Sequence, residues 1–170
     1  MTSQPTFYIL NSKIPPVRSS VKIAASIEYD SLVHLSSDSP LANKNQFTVA
    51  KGKKWVDLLP FADSFHFAIS ERLKLALEEK GFTGWACFPI EIIDHPDQHY
   101  FAFYPRATVG PITNLAAINA YETERHTFDL ATWHGSNFFT NAETLLIIAT
   151  EEVKTLFGQM KVTNAEWTRY

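Results

Sequence analysis

The sequence predicts an α+β fold: a mixed, largely antiparallel sheet with two strand–helix–strand units packing their helices on it. Two observations lead there. The stretches "SERLKLALEEKGFTGWAC" (70–87) and "TEEVKTLFGQMKVTNAEW" (150–167) share one order of capping residue, helical apolar stripe, turn and strand. Thirteen Phe, six Tyr and four Trp favour sheet and bulky packing over a lean helical bundle.

Taken in order, "FYIL" (7–10) and "VKIAASIEY" (21–29) read as strands separated by the turn-rich "NSKIPPVRSS". A polar loop (36–46), a short strand "FTVA" (47–50) and the solvated turn "KGKK" (51–54) follow. "FHFAI" (65–69) is an apolar run ending at Ser70, a good helix N-cap, with Glu71 at the positive end of the helix dipole. Leu73, Ala76 and Leu77 then form one apolar stripe, and Gly81 ends the helix. "GWACFPIEII" (84–93) is a strand with Phe88, Ile90 and Ile92 on one face. Pro89 cannot donate to a ladder, which predicts an edge or a bulge there. "DHPDQ" (94–98) turns the chain into the hairpin partner "HYFAFY" (99–104).

Signals weaken from 105 to 143: "LAAINAYETER" fits a strand or a short helix, and "TWHGSNFFTNAE" is irregular. "TLLIIA" (144–149) is then a strand and Thr150 a cap. Val153, Leu156, Phe157 and Met160 make a helical stripe, and a final strand lies near "AEWTRY".

The two units, about 55–93 and 133–170 of a single domain spanning 1–170, match by residue class at a spacing of eighty residues. Ser70 falls on Thr150, Leu73 on Val153, Leu77 on Phe157, and Gly84 on Asn164. Gly84 and Asn164 are the types that best tolerate a left-handed backbone. Identity between the stretches is sparse, so the match establishes a shared design and leaves common ancestry open. Units lying side by side would build one sheet.

Composition narrows the function classes. With 45% apolar and 19% charged residues the chain is an ordinary globular one. A net charge of −3 gives no reason to expect nucleic acid or an anionic membrane as partner. Cys87 is the single cysteine, so no intrachain disulfide forms. The apolar runs are short of a signal peptide or a bilayer span, which leads to the expectation of a cytoplasmic protein.

Chemistry is sparse. Asp94, His95, Asp97 and His99 are ligand types that zinc accepts, but turn formation explains them and no metal is expected. Cys87 beside His66 or His134 could pair a nucleophile with a base, yet it lies in an apolar strand where cysteine is usually inert. "YETERHTFD" (121–129) could supply an acid and a base, but a solvated edge with alternating charges explains it at least as well. "WHGSNFF" (133–139) is either an aromatic plug anchoring a loop or a partner-contact loop. No catalytic residue and no cofactor is expected; the chain reads as a non-enzyme.

The succession of "FHFAISERLKLALEEKGFTGWACFPIEI", "HYFAFY", "LAAINAYETERHTFDL", "WHGSNFF" and "LLIIATEEVKTLFGQMKVTNAEW" resembles the α+β immunity proteins of bacterial polymorphic toxin systems. There a strand leading into (S/T)-E-x-(V/L)-K recurs, and a W-x-G-aromatic segment can precede the last unit. The likeness covers roughly 55–170, and Asn137 stands where the pattern favours Asp. The resemblance implies an antidote that binds and occludes one cognate toxin domain, without catalytic residues to carry over. If the toxin surface is basic, Asp94, Asp97, Glu122 and Glu124 become candidate contacts, with Trp133 as an aromatic anchor. The alternative is a small-molecule or regulatory binding domain.

Overall fold

The computed structural model describes residues 5–13, 20–121 and 125–170. Along the chain the elements are β1 (Phe7–Ser12), β2 (Lys22–Ala25), α1 (Pro40–Asn43), β3 (Gln46–Lys51), β4 (Leu58–Pro60), β5 (Phe67–Ser70), α2 (Glu71–Glu79), β6 (Trp85–Ile92) and β7 (Tyr100–Pro105). They continue with β8 (Thr108–Val109), α3 (Leu115–Asn119), a 3-10 turn at Leu130–Thr132, β9 (Phe138–Asn141), β10 (Ile148–Thr150), α4 (Glu151–Met160) and β11 (Ala165–Arg169). The fold is mixed α+β with mostly antiparallel pairing. The sequence leaves one continuous sheet or two open; the described strands form two, in the orders β11-β1-β10-β9-β8 and β2-β3-β6-β7-β5-β4.

The reason lies in how each unit is completed. β5 and β6 flank β7 and run antiparallel to it, so they are parallel to each other with α2 as their crossover. β10 and β11 flank β1 in the same way, joined by α4. Each unit is thus a split β-α-β motif with a further strand inserted between its two parallel strands, and each builds its own sheet.

The correspondence extends to register. Leu58 faces Ile69 as Phe138 faces Ala149, and Leu59 faces Ala68 as Phe139 faces Ile148. Ile69 and Cys87 flank Phe101 and Phe103 on β7, as Ala149 and Trp167 flank Tyr8 and Leu10 on β1. Beyond the hairpins, Phe61 meets Ile23 in a parallel bridge and its counterpart Asn141 meets Val109. The strand after each inserted strand therefore crosses to the other sheet, giving an approximate twofold relation. Gly84 and Asn164 both take positive φ, 84° and 68°.

Period-2 alternation sorts side chains into layers. Leu58, Phe67, Ile69, Phe103, Phe138 and Ala149 face a central cluster shared by both sheets. Leu73 and Leu77 of α2 and Val153, Leu156 and Phe157 of α4 close it. Each such side chain contributes about 1.5–3 kcal/mol of burial. Leu59 and Ala68 point the other way into a second cluster, while Phe139 and Ile148 point into a third.

Asp57 fastens the two units together. Its carboxylate accepts bonds from Thr163 N (2.8 Å), Thr163 Oγ1 (2.9 Å) and Ser70 Oγ (2.7 Å), and pairs in bidentate fashion with Arg72. Burial would raise its pKa, but the bonds from Arg72, Thr163 and Ser70 outweigh that and hold the carboxyl below its ordinary range. The twofold counterpart is Asn137, whose Oδ1 accepts from Thr83 N at 3.1 Å. Asp57 thus holds in the first unit the position that Asn137 holds in the second.

Two local expectations change. Ser70 caps α2 through Oγ to Leu73 N, whereas Thr150 occupies the cap of α4 without a side-chain cap bond. The Thr150 hydroxyl instead lies 3.5 Å from Asn137 Nδ2. β6 is not an edge strand, since β3 pairs with its end at Glu91 and Ile92. Pro89 is tolerated because β3 stops short of it and its carbonyl takes the Asn45 side chain at 2.9 Å.

Candidate interaction surface

The segment 26–34 leaves β2 without regular structure, and 61–66 links β4 to β5 in a tight turn in which Phe61 N donates to His66 O. Side chains stitch the two loops together. Tyr29 Oη and Ser64 Oγ lie 2.8 Å apart, and His66 Nε2 is 2.8 Å from the Val33 carbonyl. The Tyr29 ring lies 5.8 Å from His66 and 6.5 Å from Phe61. Asp30 Oδ1 accepts from Leu32 N, which shapes the loop tip.

This framing holds apolar side chains out in solvent. Leu32 is 75% exposed, Val33 51% and Phe65 73%. Beside them opens a cleft of about 480 Å³ with Ile23, Ile27, Tyr29 and Phe61 in its walls and Glu28 and Asp63 among its lining. At the end of the segment 26–34, His34 Nε2 lies 3.0 Å from Thr140 Oγ1 of β9.

His66 is buried and electrostatically exposed to pH. A carbonyl only accepts, so Nε2 carries the proton toward Val33, and buried Nδ1 has no hydrogen-bond partner. Burial pushes the imidazole pKa below its ordinary value, and nearby His34 adds to this; the Val33 bond and Asp30 oppose it without prevailing. Burial also lowers His34, against a bond to the Thr144 backbone. Both groups bind a proton less readily folded than unfolded. Their destabilising effect is absent above the unfolded value near pH ~6.5 and grows as pH falls toward the depressed folded values. We expect Tm to drop between about pH 7.5 and about pH 5, with a shallower slope in His66→Gln. A calorimetric pH series checks this; an unchanged slope would remove His66 as the cause.

The residues singled out from sequence lie elsewhere. Asp94 and Asp97 sit exposed in the β6–β7 turn. Both Asp94 oxygens lie 3.2 Å from Val49 N, and Asp97 accepts from Gln98 at 3.0 Å. Glu122 and Glu124 lie outside the described residues. Trp133 is half-buried, with its ring 5.1 Å from Phe7 and its indole N–H donating to Ser136 O, as an aromatic plug would be. Cys87 sits within β6, and burial pushes its thiol up to about 11, away from the thiolate a nucleophile needs. His95 packs on Trp55. Among the described residues no three His, Cys, Asp or Glu side chains converge as metal ligands.

Sequence reasoning missed Leu32, Val33 and Phe65. Phe65 reads as the start of the apolar run 65–69, and only the start of β5 at Phe67 leaves it outside the sheet. The pair "LV" between Ser31 and His34 was the available signal.

No protein-family model matches the chain, and comparison with curated protein sequences finds no match. No helix among the described residues is long and apolar enough to cross a membrane.

Proposed function

We propose that this is a cytoplasmic binding protein that neutralises a cognate toxin domain by occluding it, in the manner of the immunity proteins it resembles. One observation carries the reading: Leu32, Val33 and Phe65 are held exposed on two loops that hydrogen bonds and ring contacts lock together. Large apolar side chains held exposed on neighbouring, mutually braced loops mark an interaction site more often than singly scattered ones do. Fixing the loops beforehand removes part of the ordering cost of association, and a protruding Phe can fill a partner pocket. Occlusion needs shape and charge, with no reacting group of its own.

The test is co-purification with the protein encoded beside it, together with growth rescue on co-expression. A stable complex and rescue are expected, and Leu32→Ser with Phe65→Ser should weaken the complex roughly 30-fold or more at unchanged Tm. Absence of both complex and rescue would end the proposal. The cleft supports a second reading, a small-molecule or regulatory binding domain, because about 480 Å³ falls in the range of ligand sites. A metabolite carried through purification would favour it.

A further inference from the structure

We propose that the cleft beside the Leu32–Val33–Phe65 surface receives a cationic side chain, arginine or lysine, from the partner protein. The identity of the partner as a toxin rests on the function proposed above; the chemistry of the cleft does not. Its walls offer what such a side chain needs at each level. Ile23, Ile27 and Phe61 can cover an aliphatic stem, and Tyr29 presents an aromatic ring at the same place. Glu28 and Asp63 line the opening, with Asp30 next to Tyr29 in sequence, and all three are exposed.

Charge complementarity selects the occupant. Neither of the ion pairs seen among the described residues, Asp57–Arg72 and Glu78–Lys74, involves these three carboxylates. No lysine or arginine among the described residues lines this cleft. A separate cleft of about 320 Å³, which shares Phe61 and Ala62 with the first, is lined by Phe65, Lys13 and Lys22, together with Glu166. The 61–65 turn therefore borders both a carboxylate-lined cleft, through Asp63, and one that carries lysines, through Phe65. A guanidinium entering the first could bond in plane to a carboxylate while stacking on Tyr29. Beside it, apolar partner residues would cover Leu32, Val33 and Phe65. Such a partner loop presents a base flanked by hydrophobic side chains.

The test uses the full chain, isotopically labelled for NMR, titrated with acetyl-Gly-Arg-Gly-amide and with its glutamine counterpart. The arginine peptide should shift resonances of residues 23–31 and 61–64 saturably, and the glutamine peptide should not. Glu28→Gln with Asp63→Asn should weaken the arginine response at least about tenfold, at unchanged Tm, as should high salt. Equal responses to the two peptides, or no response at these residues, would overturn the proposal. The same double variant separates the two claims. A captured partner that binds it undiminished would sink the cleft assignment and leave neutralisation standing. Peptide binding without any captured partner would do the reverse.

Discussion

Gly84→Ala is expected to destabilise the protein by roughly 2–5 kcal/mol, or to prevent folding. A Cβ built on Gly84 would stand 1.9 Å from the Phe138 carbonyl oxygen and 2.8 Å from Ser136 Cβ, at a φ of +84°. Two penalties coincide. The left-handed backbone costs an L-residue about 1–2 kcal/mol, and the clash is with main chain, which cannot swing aside as a side-chain tip can. The nearest escape would move β9 away from the turn after α2, opening the central cluster at fully buried Phe138. Gly81→Ala is the control. Its φ is +67° with nothing within 4 Å of an added Cβ, so only the backbone penalty of about 1 kcal/mol applies. Chemical denaturation of the two variants checks the contrast, and equal losses would show that the close approach to Phe138 is not what matters.

Asp57→Ala should cost about 3–5 kcal/mol, well beyond an ordinary surface ion pair. The side chain of Asp57 is 6% exposed while that of Arg72 is 52% exposed, so the pair is buried at one end only. Most of the loss comes from stranding the donors of Thr163 and Ser70, each left without its acceptor. Arg72 can turn to water. Asp57→Asn keeps the shape and should lose less, since its counterpart Asn137 already holds the equivalent turn through Thr83. The depressed pKa adds a pH signature. The stabilisation from this carboxylate is present above its unfolded value near pH ~3.9 and fades as pH falls through the lower folded value. Urea midpoints at neutral and acidic pH test both points; a wild-type advantage that persists unchanged into strong acid would contradict the charge-based part.

The sequence reveals the parts of the fold whose signals are local. Ser70 and the Leu73–Leu77 stripe mark α2, and the alternation of Phe88, Ile90 and Ile92 marks a face of β6, because capping and periodicity act within a few residues. β4, β8 and β9 escape notice, since strands of two to four residues show too little alternation to distinguish them from loop. β9 is buried along its length, so "FFTN" never alternates at all. The division into two sheets is illegible for a different reason: it depends on which strand enters each split motif, and pairing partners far apart in sequence leave no local trace. The candidate surface shows the same limit. Charge picked out Asp94 and Asp97, whereas exposure of Leu32 and Phe65 follows from how 26–34 and 61–66 brace each other.

The insertion of β1 into the second motif has a consequence for biosynthesis. Residues 58–105 contain every strand and the helix of the first motif, so it can close soon after β7 leaves the ribosome. β1 is made earlier still, yet its neighbours β10 and β11 belong to the last stretch translated here, with Tyr8 and Glu151 separated by 143 positions. A nascent chain therefore carries an orphan apolar strand from the synthesis of β1 until that of β10 and β11, and the half-molecule that matures first must wait for a partner whose earliest piece emerged before it.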